Sequence, residues 1–240
     1  MNSVKQRVGQ VVFRHMPITR HLFDQLRVEA NAAMLYVVNE IHPARRRTLS
    51  RLRGSKGVLV NVACGPNALS GFVNLDLFST AKGVVRFDCR RRLPFADGSV
   101  EGIRIEHFLE HLETREELPA FLREAVRTLR PGGVLRIIVP DAGRYLQAYC
   151  SGGFDGFHAL GVSSPFPEDL PTRMDVINHV FHQWHEHRWG YDFETLSHRL
   201  SHAGFCKVEQ SGYRQCRDSR LAQDAPNHEP YSLYVDAVRP

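Results

Sequence analysis

Two textures of apolar residues divide this chain. Phe23, Leu26, Ala30, Ala33, Met34, Val37, Val38 and Ile41 recur at three- and four-residue intervals, which predicts an amphipathic helix presenting that stripe. Pro43 stops it, and the chain leaves through Gly54 and Gly57, so residues 1–56 read as a mostly helical extension or cap. From Val58 onward, short apolar runs alternate with helical patterns. VLVNVA (58–63), FVNLDL (72–77), GVVRFD (83–88), GIRIEH (102–107) and GVLRIIVP (133–140) predict strands, as do residues 205–210 and SLYVDAVR (232–239). REELPAFLREAVRTLR (115–130) predicts a helix with Leu118, Phe121, Leu122, Ala125, Val126 and Leu129 on one side, stopped at Pro131-Gly132-Gly133. DFETLSHRLSHAGF (192–205) predicts another, closed by Gly204. This alternation implies an α/β fold with right-handed crossovers and a doubly wound, mainly parallel sheet of seven strands. Such sheets bind ligands at the carboxyl ends of their strands, which directs attention to the exit of the first strand, Cys64-Gly65.

Composition narrows the classes without choosing among them. Hydrophobic residues at 42% and charged residues at 24% suit a globular chain with ample core. No apolar run approaches a membrane span, and the basic N-terminus MNSVKQRVGQVVFRHMPITR lacks the apolar core of a secretory signal. The five cysteines are odd in number and widely spaced, which argues against a disulfide framework and fits a reducing cytoplasm. No named metal-ligand spacing occurs, so no metal site is expected. The net charge of +5 gathers at Arg45–Arg47, at Arg51, Arg53 and Lys56, and at Arg90–Arg92. That pattern suits an anionic acceptor or simply a solvated face; without a recognisable module, nucleic acid is not an expected partner.

The stretch VLVNVACGPNALSGFVNLDL carries the first chemistry. A glycine after the first strand lets a ligand approach the backbone without meeting a Cβ. Asp76, at the end of the second strand, is placed to accept hydrogen bonds from a ribose diol. A dinucleotide would favour Gly-x-Gly-x-x-Gly and a P-loop would need Gly-Lys-Ser/Thr; neither is present. An adenosine-containing cofactor without a phosphate cradle fits best.

With VNVACGPNALSGFVNLDL, the segments DCRRRLPFADGSVEGIRIEHFLEHL, FLREAVRTLRPGGVLRIIVPD, HRWGYDFETLSHRLSHAGF and SLYVDAVRP occur in order. Together they resemble the class I S-adenosylmethionine-dependent methyltransferases, in particular a type-11-like bacterial subgroup, over residues 57–240. The resemblance implies a Rossmann-like methyltransferase domain over 57–240, with residues 142–190 as a substrate-covering insertion. It implies S-adenosylmethionine as cofactor, with Asn61, Ala63, Cys64 and Gly65 around its methionine part, Asp76 and Leu77 at the ribose, and Asp88 and Cys89 at the adenine. Glu106 and His107 would stand where donor and acceptor meet. Asn61 replaces the acid, and Ala63 the first glycine, that the family pattern usually carries.

Methyl transfer to a hydroxyl benefits from a base, most readily histidine. His107 and His111 are the candidates, although the LEHL segment equally serves packing and capping. The run HVFHQWHEHRWGYD offers His182, Trp184, His185, His187 and Tyr191 to line an acceptor pocket, or to form a partly buried amphipathic loop. The expected activity is a cytoplasmic methyltransferase acting at oxygen on a small-molecule or glycan-type acceptor. A non-catalytic methyltransferase-like interaction protein and a nucleic-acid methyltransferase are the rivals. A homodimer through the N-terminal stripe is compatible with the sequence.

Overall fold

The computed structural model describes residues 19–163 and 167–240, so the helical expectation for residues 1–18 lies outside the described residues. The elements run α1 (Arg20–Ile41), α2 (Pro43–Gly54), β1 (Val58–Val62), β2 (Phe72–Asp76), β3 (Val84–Arg86), β4 (Val100–Glu106), α3 (Glu117–Thr128), β5 (Leu129–Pro140), α4 (Ala142–Cys150), α5 (Asp155–Ala159), α6 (Arg173–His182), α7 (Phe193–His202), β6 (Cys206–Gln210) and β7 (Ser232–Val238). A single 3-10 turn, Leu109–His111, follows β4.

The seven strands form one sheet in the order β3-β2-β1-β4-β5-β7-β6. All pairs are parallel except those of β7, which runs antiparallel to both β5 and β6. This is the doubly wound, Rossmann-like sheet that the class I resemblance implies.

Alternation of side chains sends Val60, Val62, Ile103, Ile105, Leu135, Ile137, Val235 and Ala237 to one face, into the main core with Leu49, Leu118, Phe121, Leu122, Leu196 and Leu200. Right-handed connections put α3, between β4 and β5, and α7, between β5 and β6, on that face. Crossovers from β1 to β2 and from β2 to β3 step the other way along the sheet, so helices there would cover the opposite face. Both links are helix-free.

The opposite face is instead polar and in register: Asn74, Asn61, Arg104, Arg136, Asp236 and Glu209 are successive partners across the strands, all but Glu209 buried. The connection from β6 to β7 folds over it. Arg136 donates to Ser211 Oγ (2.6 Å), Gln215 O (2.8 Å), Gly212 O (2.9 Å) and Asp236 Oδ1 (3.1 Å), and pairs with Asp224. Leu221 supplies the apolar contact beside it, packing with Val134 and Val238. A buried guanidinium is tolerable because every one of its N–H groups has an acceptor.

Two expectations need correction. Pro131-Gly132-Gly133 does not stop the helix; α3 ends at Thr128, and the tripeptide lies within β5, where the register slips between Val100↔Leu129 and Gly102↔Val134. Nor does α1 bury the forecast stripe: Leu26, Met34, Val37 and Ile41 are exposed, while Ala32, Leu35 and Asn39 are buried. Polar contacts fasten this helix: Arg45 Nε donates to Asn39 (2.9 Å), and Arg90 reaches Glu29 (2.5 Å). No helix among the described residues is long and apolar enough to cross a membrane.

Candidate functional site

At the exit of β1 the backbone turns through the left-handed region at Ala63 (φ 52°) and Gly65 (φ 54°). Asp76 fixes this bend. Its Oδ2 accepts from Gly65 N (2.9 Å), and its Oδ1 from Phe78 N (2.8 Å) and Ser79 N (2.7 Å). A Cβ built on Gly65 would meet nothing within 4 Å, so the bend faces open space. The nine-residue link stays short because Asn74 replaces a helix: its Oδ1 accepts from Leu69 N (2.8 Å) and from Asn61 Nδ2 (3.0 Å). The side chain of Asn61 is thereby buried in the sheet, also accepting from Arg104 (3.1 Å), and does not face the rim. Cys64 is half-buried, and burial, aided by Asp76, pushes its thiol up to about 11. Leu77 is likewise half-buried, its carbonyl accepting from Arg86 Nε (3.1 Å).

β3 delivers Asp88 and Cys89 beside the same bend. Both are buried, and the Cys89 thiol lies against the Ala63 backbone. Burial raises that thiol far above the ordinary range, so it is inert. The carboxylate of Asp88 is gripped by Arg90, whose Nε and Nη2 both donate at 3.0 Å, and by the Arg90 amide (3.1 Å). Asp88 also borders a cavity of about 650 Å³ between α1, α2 and residues 87–97, with Leu35, Tyr36, Phe87 and Phe95 on its walls.

β4 ends in Glu106 and His107. Burial works against the Glu106 carboxylate, but a hydrogen bond from His228 Nδ1 (3.0 Å), the charge of Arg104 and the Ala225 amide (3.1 Å) outweigh it and hold its pKa down to about 2. His107 adopts φ 53°, an uncommon conformation for a non-glycine residue and one concentrated at functional sites. Its Nε2 lies 3.1 Å from Ser232 Oγ and its Nδ1 3.2 Å from Glu110 Oε1. The rings of His228 (4.1 Å) and Tyr231 (5.6 Å) wall it on the side of β7.

Burial opposes ionisation of Glu110, yet His107 and His111 outweigh that and keep its carboxyl below the ordinary range. Its backbone carbonyl accepts from Arg188 N (2.7 Å) and Trp189 N (3.3 Å), which ties the histidine-rich segment to the β4 exit. Tyr191, bridged to Asp141 and donating weakly to Leu109 O (3.5 Å), completes the anchorage.

The structure therefore divides the histidine-rich candidates. His187 and Tyr191 are buried against the Glu110–His111 turn; His182, Trp184 and His185 are exposed, with the His185 ring against His21 (4.4 Å). His111 and His187 meet edge to face at 5.0 Å. Sequence reasoning passed over Ser232, His228 and Tyr231, which come to the rim from the end of the long β6–β7 connection. Arg104 and Arg136 were missed too, though a charge at an inward position of GIRIEH and of GVLRIIVP was a readable signal.

A family model described as "Methyltransferase domain", of type 11, matches residues 70–137, from the edge of β2 through the middle of β5. A search of curated proteins finds no match. Among solved structures, a SAM-dependent methyltransferase from Archaeoglobus fulgidus is 16% identical, with 85% of this chain and 99% of that one covered at a TM-score of 0.48. A SAM-dependent methyltransferase from Thermotoga maritima is 15% identical, with 85% and 99% covered at 0.47. Phosphoethanolamine N-methyltransferase 2 from Haemonchus contortus, solved with S-adenosyl-L-methionine, is 12% identical, with 88% and 52% covered at 0.44.

Proposed function

We propose that this class I S-adenosylmethionine-dependent methyltransferase methylates an oxygen of a small-molecule or glycan-type acceptor, with His107 as the base that receives the acceptor proton. The observation that carries this reading is the setting of His107 at the end of β4. Its imidazole stands between a buried carboxylate and a hydroxyl, on a strained backbone, at the strand end next to the β1 bend.

The residues present fit the cofactor. Open space before Gly65 admits a ligand to bare backbone, and the backbone from Ala63 to Gly65 would receive its methionine part. Asp76 has three amide donors, which leaves a carboxylate about one further acceptor site for a ribose hydroxyl. Asp88 and the Cys89 backbone would meet the adenine, with the Arg90 guanidinium sharing Asp88 or moving aside. When bound, S-adenosylmethionine supplies an electrophilic methyl group on a sulfonium.

The chain's own task is orientation and proton handling. His107 keeps its Nδ1 side 3.2 Å from the Glu110 carboxylate and turns Nε2 toward Ser232 Oγ, whose place an acceptor hydroxyl would take. The insertion, 142–190, would cover the acceptor and exclude water, with His187 on its inner side and Tyr191 directly after its end. Of the basic clusters, the exposed Arg46, Arg47, Arg91 and Arg92 suit an anionic sugar or lipid-linked acceptor, whereas Arg45 and Arg90 are held by the protein's own groups.

The test uses methyl-labelled S-adenosylmethionine and acceptor pairs that share a skeleton but offer a hydroxyl or an amine. Label is expected on oxygen, and His107→Gln should lower turnover by about a hundredfold or more while cofactor binding persists. Transfer to nitrogen alone, or wild-type turnover in His107→Gln, would overturn the reading.

A further inference from the structure

The geometry points to a binding site for one divalent transition-metal ion of the zinc type, formed by Glu110, His111 and His187. These residues offer ligand atoms that all lie within 4.8 Å of one another. An ion about 2.1 Å from each of its tetrahedral ligands holds them about 3.4 Å apart, so small side-chain rotations would close the cluster around it.

Three independent features mark these groups as ligands. The histidines are already oriented: His111 Nδ1 lies 3.0 Å from Glu186 O and His187 Nδ1 2.7 Å from Val180 O. Donation of Nδ1–H to a carbonyl fixes the tautomer and leaves Nε2 as the lone-pair nitrogen, which is how metal-binding imidazoles are held.

Second, both oxygens of the buried Glu110 carboxylate lack a hydrogen-bond donor. His107 Nδ1 stands 3.2 Å away, out of line for a hydrogen bond. A buried carboxylate in that state is costly, and a cation is the partner it lacks. Its two oxygens suffice for His107 and an ion together.

Third, the two chain segments are locked before any ion arrives, since Arg188 N and Trp189 N both donate to Glu110 O. Two imidazoles and one carboxylate select zinc, cobalt or iron over magnesium and calcium, which prefer oxygen alone. Three protein ligands leave a coordination position for water or substrate. Sequence spacing could not announce this site, because two ligands are adjacent and the third comes from a distant segment.

The experiment uses the full chain without a polyhistidine tag, stripped with chelator and then titrated with Zn²⁺ and, separately, Co²⁺. One ion per chain is expected, with Co²⁺ showing visible bands of low-coordinate geometry and Zn²⁺ raising the melting temperature. His187→Ala and Glu110→Gln should each weaken Zn²⁺ binding by about a hundredfold and abolish the cobalt bands. His182→Ala and His185→Ala, which alter exposed histidines outside the cluster, should bind as the wild type does. Binding of S-adenosylhomocysteine by the two ligand variants reports that they fold and separates this site from the cofactor site. Wild-type zinc affinity in both ligand variants, equal loss in His182→Ala or His185→Ala, or no stoichiometric binding by the wild type would each overturn the assignment.

Discussion

Glu106 shows how one side chain couples the rim to the stability of the whole. Its pKa falls from the ordinary 4.5 to about 2 because His228, Arg104 and the Ala225 amide stabilise the carboxylate more than burial opposes it. A folded pKa below the unfolded one stabilises the protein above about pH 4.5, and that contribution disappears as the pH falls toward 2. Glu106→Gln should therefore be less stable than the wild type at neutral pH, with the gap closing between those values. Chemical denaturation across that range would measure it, and a constant gap would refute the coupling. At this scale the sequence was informative about where a residue sits when its strand decides it, as for Asp76 at the end of β2 and His107 just after β4. It was not informative for Ser232 and His228, whose places are set by how a long irregular connection folds back.

Among the elements, the row from Asn74 to Glu209 explains why a doubly wound fold survives without helices in its first two links. The polar face needs hydrogen-bond acceptors rather than an apolar cover, and the β6–β7 connection provides them to Arg136. Replacing Arg136 with Met would strand Asp224 and Asp236 as buried, uncompensated charges, at a cost of about 3–5 kcal/mol. For a chain of this length that lowers the melting temperature by roughly 10 °C or more, readable by calorimetry; an unchanged melting temperature would contradict the account. Apolar runs made the seven strands legible. The extent of β5 was obscured because Pro131-Gly132-Gly133 has the chemistry of a stop signal, yet a bulge beside β4 accommodates it.

For the molecule as a whole, α1 is joined to the rim through charge. Arg90 bridges Glu29 on α1 and Asp88 just after β3, so the helix and the acid proposed to meet adenine share one guanidinium. Periodicity revealed that the helix exists, but not which side faces the body, because its seam is the narrow strip Ala32, Leu35 and Asn39. The strand ends that carry the proposed cofactor site were legible in the sequence, whereas the Glu110–His111–His187 cluster depends on a loop docking that no spacing encodes.

Calorimetric titration of S-adenosylhomocysteine into wild-type protein and Asp76→Ala decides the central claim, that adenosine is held at the β1 bend by this carboxylate. The account predicts stoichiometric binding to the wild type and an affinity lower by about tenfold or more in the variant, the loss of a charged hydrogen-bond partner. Equal affinity in the two proteins would contradict it.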